Sequence, residues 1–121
     1  MRDISGYQKQ AQLFQTLSHP VRLCILDILA HQEACVCHLT AILGQRQPYV
    51  SQQLAVLRQA GLVVDRREGT LIYYRLANDQ LAEWLGRSKT SIQSLYNQTL
   101  TFPPVPDTAL DNCPCPHCQT A

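Results

Sequence analysis

The chain has 121 residues, 45% of them apolar, and a formal net charge of +1. That is enough for one small folded domain and leaves little room for a second. The near-neutral balance excludes a uniformly basic nucleic-acid binder, so any DNA contact must come from a local patch. No run approaches the ~18–20 apolar residues of a membrane span. Residues Met1 to Gln15 are polar and lack the apolar core of a signal peptide. The expectation is a cytoplasmic protein without a membrane partner, in which thiols stay reduced. Six cysteines in that setting read as metal ligands or redox sensors, not as disulfide staples.

In chain order, Tyr7, Ala11, Leu13, Phe14 and Leu17 recur at helical spacing and predict a helix over about 5–17. Ser18-His19-Pro20 marks a break and restart, since proline in a first turn forfeits no hydrogen bond. Val21, Cys24, Ile25, Ile28 and Leu29 then define a second helix, with Cys24 expected in the core. His19 and His31 read as surface or cap residues. A third helix is predicted from about Val36 to Leu43, stopped at Gly44. A fourth starts near Pro48, turns Val50, Leu54 and Leu57 inward, and ends at Gly61. Leu62–Arg67 and Leu71–Leu76 read as strands, joined by a compact turn at Glu68-Gly69-Thr70. A last helix runs from about Asn78 to Gln98. The sequence thus divides into a folded domain, 1–98, and a Pro- and Cys-rich tail, 99–121, expected to be flexible.

Helix, tight turn, helix and hairpin follow one another in the order of a winged helix-turn-helix, an α+β arrangement of about five helices and two strands. In that arrangement the fourth helix enters the major groove. Its candidate DNA-facing residues are Gln47, Tyr49, Ser51, Gln52 and Gln53. Glutamine suits an adenine edge, and serine a base or phosphate. Arg58, Arg66, Arg67 and Arg75, with Thr70 at the wing tip, are candidates for backbone contacts.

Several separate strings carry a resemblance. They are Leu17-Ser18-His19-Pro20-Val21-Arg22-Leu23, Cys35-Val36-Cys37-His38-Leu39, and Val50-Ser51-Gln52-Gln53-Leu54 through Leu57-Arg58-Gln59-Ala60-Gly61-Leu62-Val63. Arg67-Glu68-Gly69 and Tyr73-Tyr74-Arg75-Leu76 complete the set. Over about residues 7–96 the chain resembles the ArsR/SmtB family. The resemblance implies a homodimeric repressor that leaves operator DNA on binding a metal, a metalloid or an oxidant. It also implies a dimer interface of the first and last helices. Phe14, Leu81 and Trp84 are candidates for that interface or for the intrachain core.

The thiols carry the chemistry. Cys35 and Cys37 stand ahead of the helix-turn-helix, and Cys113, Cys115 and Cys118 lie in a Cys-Pro-Cys-Pro-His-Cys string. Thiolate suits As(III), Cd(II), Pb(II), Cu(I) and Zn(II). In a regular helix, positions i and i+2 point ~200° apart. The pair therefore shares an ion only where the helix begins beyond it or its first turn is distorted. In similar arsenic sensors the Cys-Val-Cys pair has a third cysteine and an acidic neighbour. Here those positions hold Thr40 and His38, which leaves the site one thiolate short. The stretch of about 15 residues from Gln98 to Cys113 spans up to ~50 Å when extended, so the tail thiols can reach either protomer's site. The last helix contains no histidine, against a separate Zn(II), Ni(II) or Co(II) site there.

The leading expectation is a repressor released by As(III), or by Cd(II) or Pb(II), bound to cysteine thiolates; Zn(II) and Cu(I) are further candidates. The alternative is a redox-sensing repressor switched by a disulfide. Closing Cys35 to Cys37 alone is expected to be strained, so that the tail would supply the partner. No oriented base, phosphate loop or carboxylate pair points to an enzyme.

Overall fold

A computed structural model describes residues 2–106. Five helices and three strands follow in the order α1 (Ser5–Leu17), α2 (Pro20–His31), β1 (Ala34–Cys35), α3 (Val36–Leu43), α4 (Gln47–Gln59), β2 (Val63–Glu68), β3 (Leu71–Leu76) and α5 (Asp79–Tyr96). The three strands form one antiparallel sheet in the order β1-β3-β2. β1 is absent from the sequence reading. Two residues carry no period, and this strand exists only because Ala34 and Cys35 pair with Tyr74 and Tyr73.

The turns follow local chemistry. Gly44 closes α3 in the left-handed region (φ 63°) and donates its N–H to the Thr40 carbonyl, a conformation glycine adopts without steric cost. Pro48 sits in the first turn of α4. Asn78 caps α5, its side chain accepting the Gln80 N–H at 2.8 Å.

The core collects Leu17 from α1, Ile25, Leu26, Ile28 and Leu29 from α2, Leu39 from α3, and Val50, Leu54 and Leu57 from α4, with Val63, Tyr74 and Leu76 from the sheet. These buried side chains hold the helix-turn-helix of α3 and α4 against α2 and the hairpin. Cys24 does not join them, contrary to the sequence expectation. It is exposed, because it lies about 120° round the helix from the middle of the buried face. The surrounding protein still raises its thiol pKa, chiefly through partial desolvation and then through Asp27.

No residue of α5 is buried. Leu81 packs against the core, whereas Phe14 (50% exposed) and Trp84 (40%) stack on each other at the surface, with ring centroids 6.4 Å apart. Tyr7, Ile92, Leu95 and Tyr96 extend this exposed apolar ground along α1 and α5. Beyond α5 the chain turns back on the domain. Leu100 donates its N–H to Gln93 Oε1 at 2.9 Å, Lys89 Nζ lies 4.7 Å from the Phe102 ring centroid, and Val105 packs against the core. Among the described residues no helix is long and apolar enough to cross a membrane.

Candidate functional site

Cys35 is at once the last residue of β1 and the N-cap of α3. Its backbone is extended (φ −78°, ψ 163°), and its sulfur accepts the His38 N–H at 3.3 Å. Cys37 lies within the first turn of α3. The ~200° separation of a regular helix therefore does not apply, because one cysteine stands outside the helix. Their Cα atoms are 5.4 Å apart, and the two sulfurs are joined as a disulfide. The extended N-cap turns the Cys35 sulfur toward Cys37.

The pair packs with Ala41, Leu71 and Tyr73. Cys35 is 1% exposed and His38 2%. Thr40, in place of a third thiol, directs its hydroxyl to the Val36 carbonyl at 2.7 Å. Among the described residues no group of three or more His, Cys, Asp or Glu side chains is placed to hold a metal ion. As reduced thiolates, Cys35 and Cys37 fit a soft cation but supply only two donors. Cys113, Cys115 and Cys118 lie outside the described residues.

The DNA-facing candidates divide. Gln47 and Gln52 are exposed at the N-terminal half of α4, and Tyr49 and Ser51 are partly exposed. The Tyr49 hydroxyl lies 3.5 Å from His19 Nε2. Gln53 does not belong with them. It is 6% exposed, and its Oε1 accepts from Arg22 Nε at 2.8 Å. The same guanidinium donates to the Thr16 carbonyl at 3.1 Å, so Arg22 ties α1 and α2 to α4. The signal was available: Gln53 completes the inward i, i+3, i+4, i+7 set with Val50, Leu54 and Leu57.

Arg66, a candidate for the DNA backbone, is exposed and already paired within the protein. Its Nε and Nη2 grip Glu33, its Nη1 donates to Glu68 Oε2 at 2.7 Å, and its guanidinium carbon lies 4.6 Å from the Tyr73 ring centroid. Two carboxylates thus occupy the guanidinium fork. Those hydrogen bonds from Arg66 also hold the Glu33 carboxyl below its usual range. Arg58 pairs with Asp65 at 3.2 Å with both groups well exposed. Arg67, Thr70 and Arg75 are exposed on the hairpin. Glu33 escaped the sequence reading because its partner lies 33 positions away.

Helix-turn-helix, flanking three-stranded sheet and exposed polar helix face together define a winged helix-turn-helix domain, the architecture of many DNA-binding regulators. The family model described as "Bacterial regulatory protein, arsR family" matches residues 19–64. A biofilm growth-associated repressor of Agrobacterium fabrum is 53% identical over 72 residues, which are 60% of this chain and 62% of that protein. The chain therefore spans somewhat less than two thirds of that relative's length. The crystal structure of Mycobacterium tuberculosis Rv0081 superposes with a TM-score of 0.72 at 34% identity, covering 77% of this chain and 94% of that one. A homodimeric winged helix-turn-helix DNA-binding domain from Mycobacterium bovis superposes with a TM-score of 0.70 at 29% identity, covering 84% and 94%. The chain belongs to the ArsR family. Its fold and its relatives are those of transcription regulators, not of enzymes.

Proposed function

We propose that this protein is a dimeric transcriptional repressor whose hold on operator DNA is released by a thiophilic ion bound at Cys35 and Cys37. One observation carries the reading: the two cysteines occupy the junction from which α3 and the sheet both depart. A bond formed there acts on the helix that supports α4 and on the strand that supports the wing. Gln47, Tyr49, Ser51 and Gln52 face base edges in this reading, and Arg58, Arg67, Thr70 and Arg75 face the DNA backbone. Two copies meet through the exposed apolar ground of α1 and α5, which a lone protomer leaves in water.

As(III) is the favoured ion, with Cd(II) and Pb(II) next and Zn(II) or Cu(I) as further candidates. Three thiolates suit As(III) and Pb(II), and a fourth favours Cd(II) or Zn(II). Cys113, Cys115 and Cys118 are the proposed source of the missing donors. The joined Cys35–Cys37 pair must first take up two electrons and two protons, supplied by a dithiol reductant. Each thiol that then binds the ion releases its proton.

The test is operator binding by fluorescence anisotropy. Reduced protein is titrated with arsenite, Cd(II), Pb(II) and Zn(II), and each titration is repeated with Cys35→Ser and with the chain cut after Asp111. Release by arsenite in the wild type, lost in both variants, supports the reading. An unchanged response in the truncated chain removes the tail from it.

The Cys35–Cys37 disulfide favours a second reading, a redox switch at the same junction. There the two thiols lose two electrons and two protons to a peroxide, which is reduced to water. Release of DNA by peroxide and not by any of the ions replaces the first reading with this one.

A further inference from the structure

The corner between α1 and α2 holds α4 at two points. Arg22, in the first turn of α2, sends Nε to Gln53 Oε1 at 2.8 Å and Nη1 to the Thr16 carbonyl at 3.1 Å. Thr16 lies in the last turn of α1, whose final carbonyls lack partners inside the helix. Its neighbours are served locally: Gln15 accepts the Ser18 N–H and Leu17 the His19 N–H. Thr16 is served by Arg22 instead, so one guanidinium joins the end of α1 to the middle of α4. One turn earlier on α4, the Tyr49 hydroxyl lies 3.5 Å from His19 Nε2, and the two rings stand 6.5 Å apart between centroids, the spacing of an aromatic pair. The other ring nitrogen, His19 Nδ1, is buried without a hydrogen-bond partner among the described residues. His19 is also the N-cap of α2, yet makes no side-chain cap bond. A buried unpaired nitrogen costs stability. This histidine is therefore poorly placed to serve folding and well placed to meet Tyr49.

Positions 49 and 53 lie four apart, on one edge of α4. Two contacts one turn apart fix both the rotation of α4 about its axis and its slide along it. The apolar packing of Val50, Leu54 and Leu57 holds the helix down without directing it. We infer that His19 and Arg22 are positioning residues that set the separation and phase of the two reading helices in the dimer, and so decide which spacing of operator half-sites the protein accepts. This rests on the proposed meeting of two copies through α1 and α5. The path is short. Phe14 lies on the exposed apolar ground of α1 two residues before Thr16, and Gln53 adjoins the exposed Gln52. One base pair inserted between half-sites moves one of them by about 3.4 Å and turns it by about 34°.

The experiment uses the reduced, ion-free, full-length protein. An operator is selected by the wild type from a random-sequence duplex pool, then remade with one base pair inserted or removed midway between its half-sites. Affinities are read by fluorescence anisotropy. Wild type is expected to lose roughly tenfold in affinity on either change. His19→Leu drops the Tyr49 contact together with the buried unpaired nitrogen, and its urea midpoint is expected not to fall. Arg22→Met combined with Gln53→Leu removes both side chains of the 2.8 Å bond and leaves no orphaned amide behind. In both proteins the selected operator is expected to bind about threefold more weakly, because the reading helices are no longer preset. The penalty for altered spacing is expected to shrink to about threefold.

A merely structural role weakens all three operators by one factor. Wild-type affinity ratios in both folded variants therefore overturn the inference. Sedimentation of the wild type separates this result from failure of the reading beneath it. A monomer overturns the dimer and the inference together, whereas a dimer whose variants keep the wild-type ratios overturns the inference alone.

Discussion

Cys35 stands directly opposite Tyr73 across the β1–β3 ladder. The candidate sensing thiol is therefore hydrogen-bonded, through its own strand, to the wing. Tyr73 in turn lies under the Arg66 guanidinium that Glu33 grips from the residue before β1. A change at the thiols has two routes to DNA, one through α3 to α4 and one through β3 to the hairpin. The sequence reading held only the first of them.

The wing route predicts a separation of binding from response. Tyr73→Ala leaves both thiols in place, and Cd(II) charge-transfer absorbance is expected to match wild type. The ion-induced loss of operator affinity, typically about 1–3 kcal/mol for a coupled pair of sites, is expected to fall by roughly half. Anisotropy titrations with and without the ion measure it. An unchanged coupling shows that α3 alone transmits the signal.

Glu33 predicts a pH dependence with a definite sign. Its folded pKa is depressed, chiefly by hydrogen bonds from Arg66, relative to an ordinary carboxylate near ~4.3. In that window the unfolded chain binds more protons, so the contribution is present above about pH 4.3 and is lost as pH falls through the depressed value. Glu33→Gln is expected to lower stability slightly at pH 7 and to flatten the acid limb of a plot of stability against pH. Both follow from urea melts at several pH values. A wild-type acid limb in the variant shows that the pair adds nothing to folding.

Arg22 and Gln53 predict a stability effect remote from DNA. Arg22→Ala leaves the buried Gln53 carbonyl without its 2.8 Å donor, and such a group costs about 1–3 kcal/mol. Chemical denaturation measures the loss. Gln52→Ala, one residue away but exposed, is expected to leave the denaturation midpoint alone and to weaken discrimination at one base pair by about 1–3 kcal/mol. Arg67→Ala is expected instead to weaken all sequences alike and to lower the salt slope of operator binding by about one unit.

The stacked pair Phe14 and Trp84 predicts the dimer. Trp84→Glu places a charge on the exposed apolar ground that the proposed dimer covers. Sedimentation is expected to show a shift toward monomer, with the far-ultraviolet dichroism of the folded protomer retained. A dimer of wild-type strength places the interface elsewhere.

Local signals determined most of the architecture from the sequence alone. The 3.6-residue spacing of Ile25, Ile28 and Leu29, the glycines after α3 and α4, Pro20 and Pro48 in first turns, and the two runs around Gly69 all act within a few residues of themselves. The helices and the hairpin were legible for that reason, as was the winged helix-turn-helix order. The softness of thiolate likewise marked Cys35 and Cys37 as the chemically informative pair. Tertiary structure alone decided what depends on partners distant in the chain. β1 exists only by pairing with β3. Gln53 turns inward to a guanidinium 31 positions away, and Arg66 pairs with Glu33 from 33 positions away. Cys24 misses the core because burial is set by where neighbouring helices lie, not by apolar type. The course of the chain from α5 back to Gln32 was invisible for the same reason: a hydrogen bond 74 positions long leaves no periodic trace in either of the segments it joins.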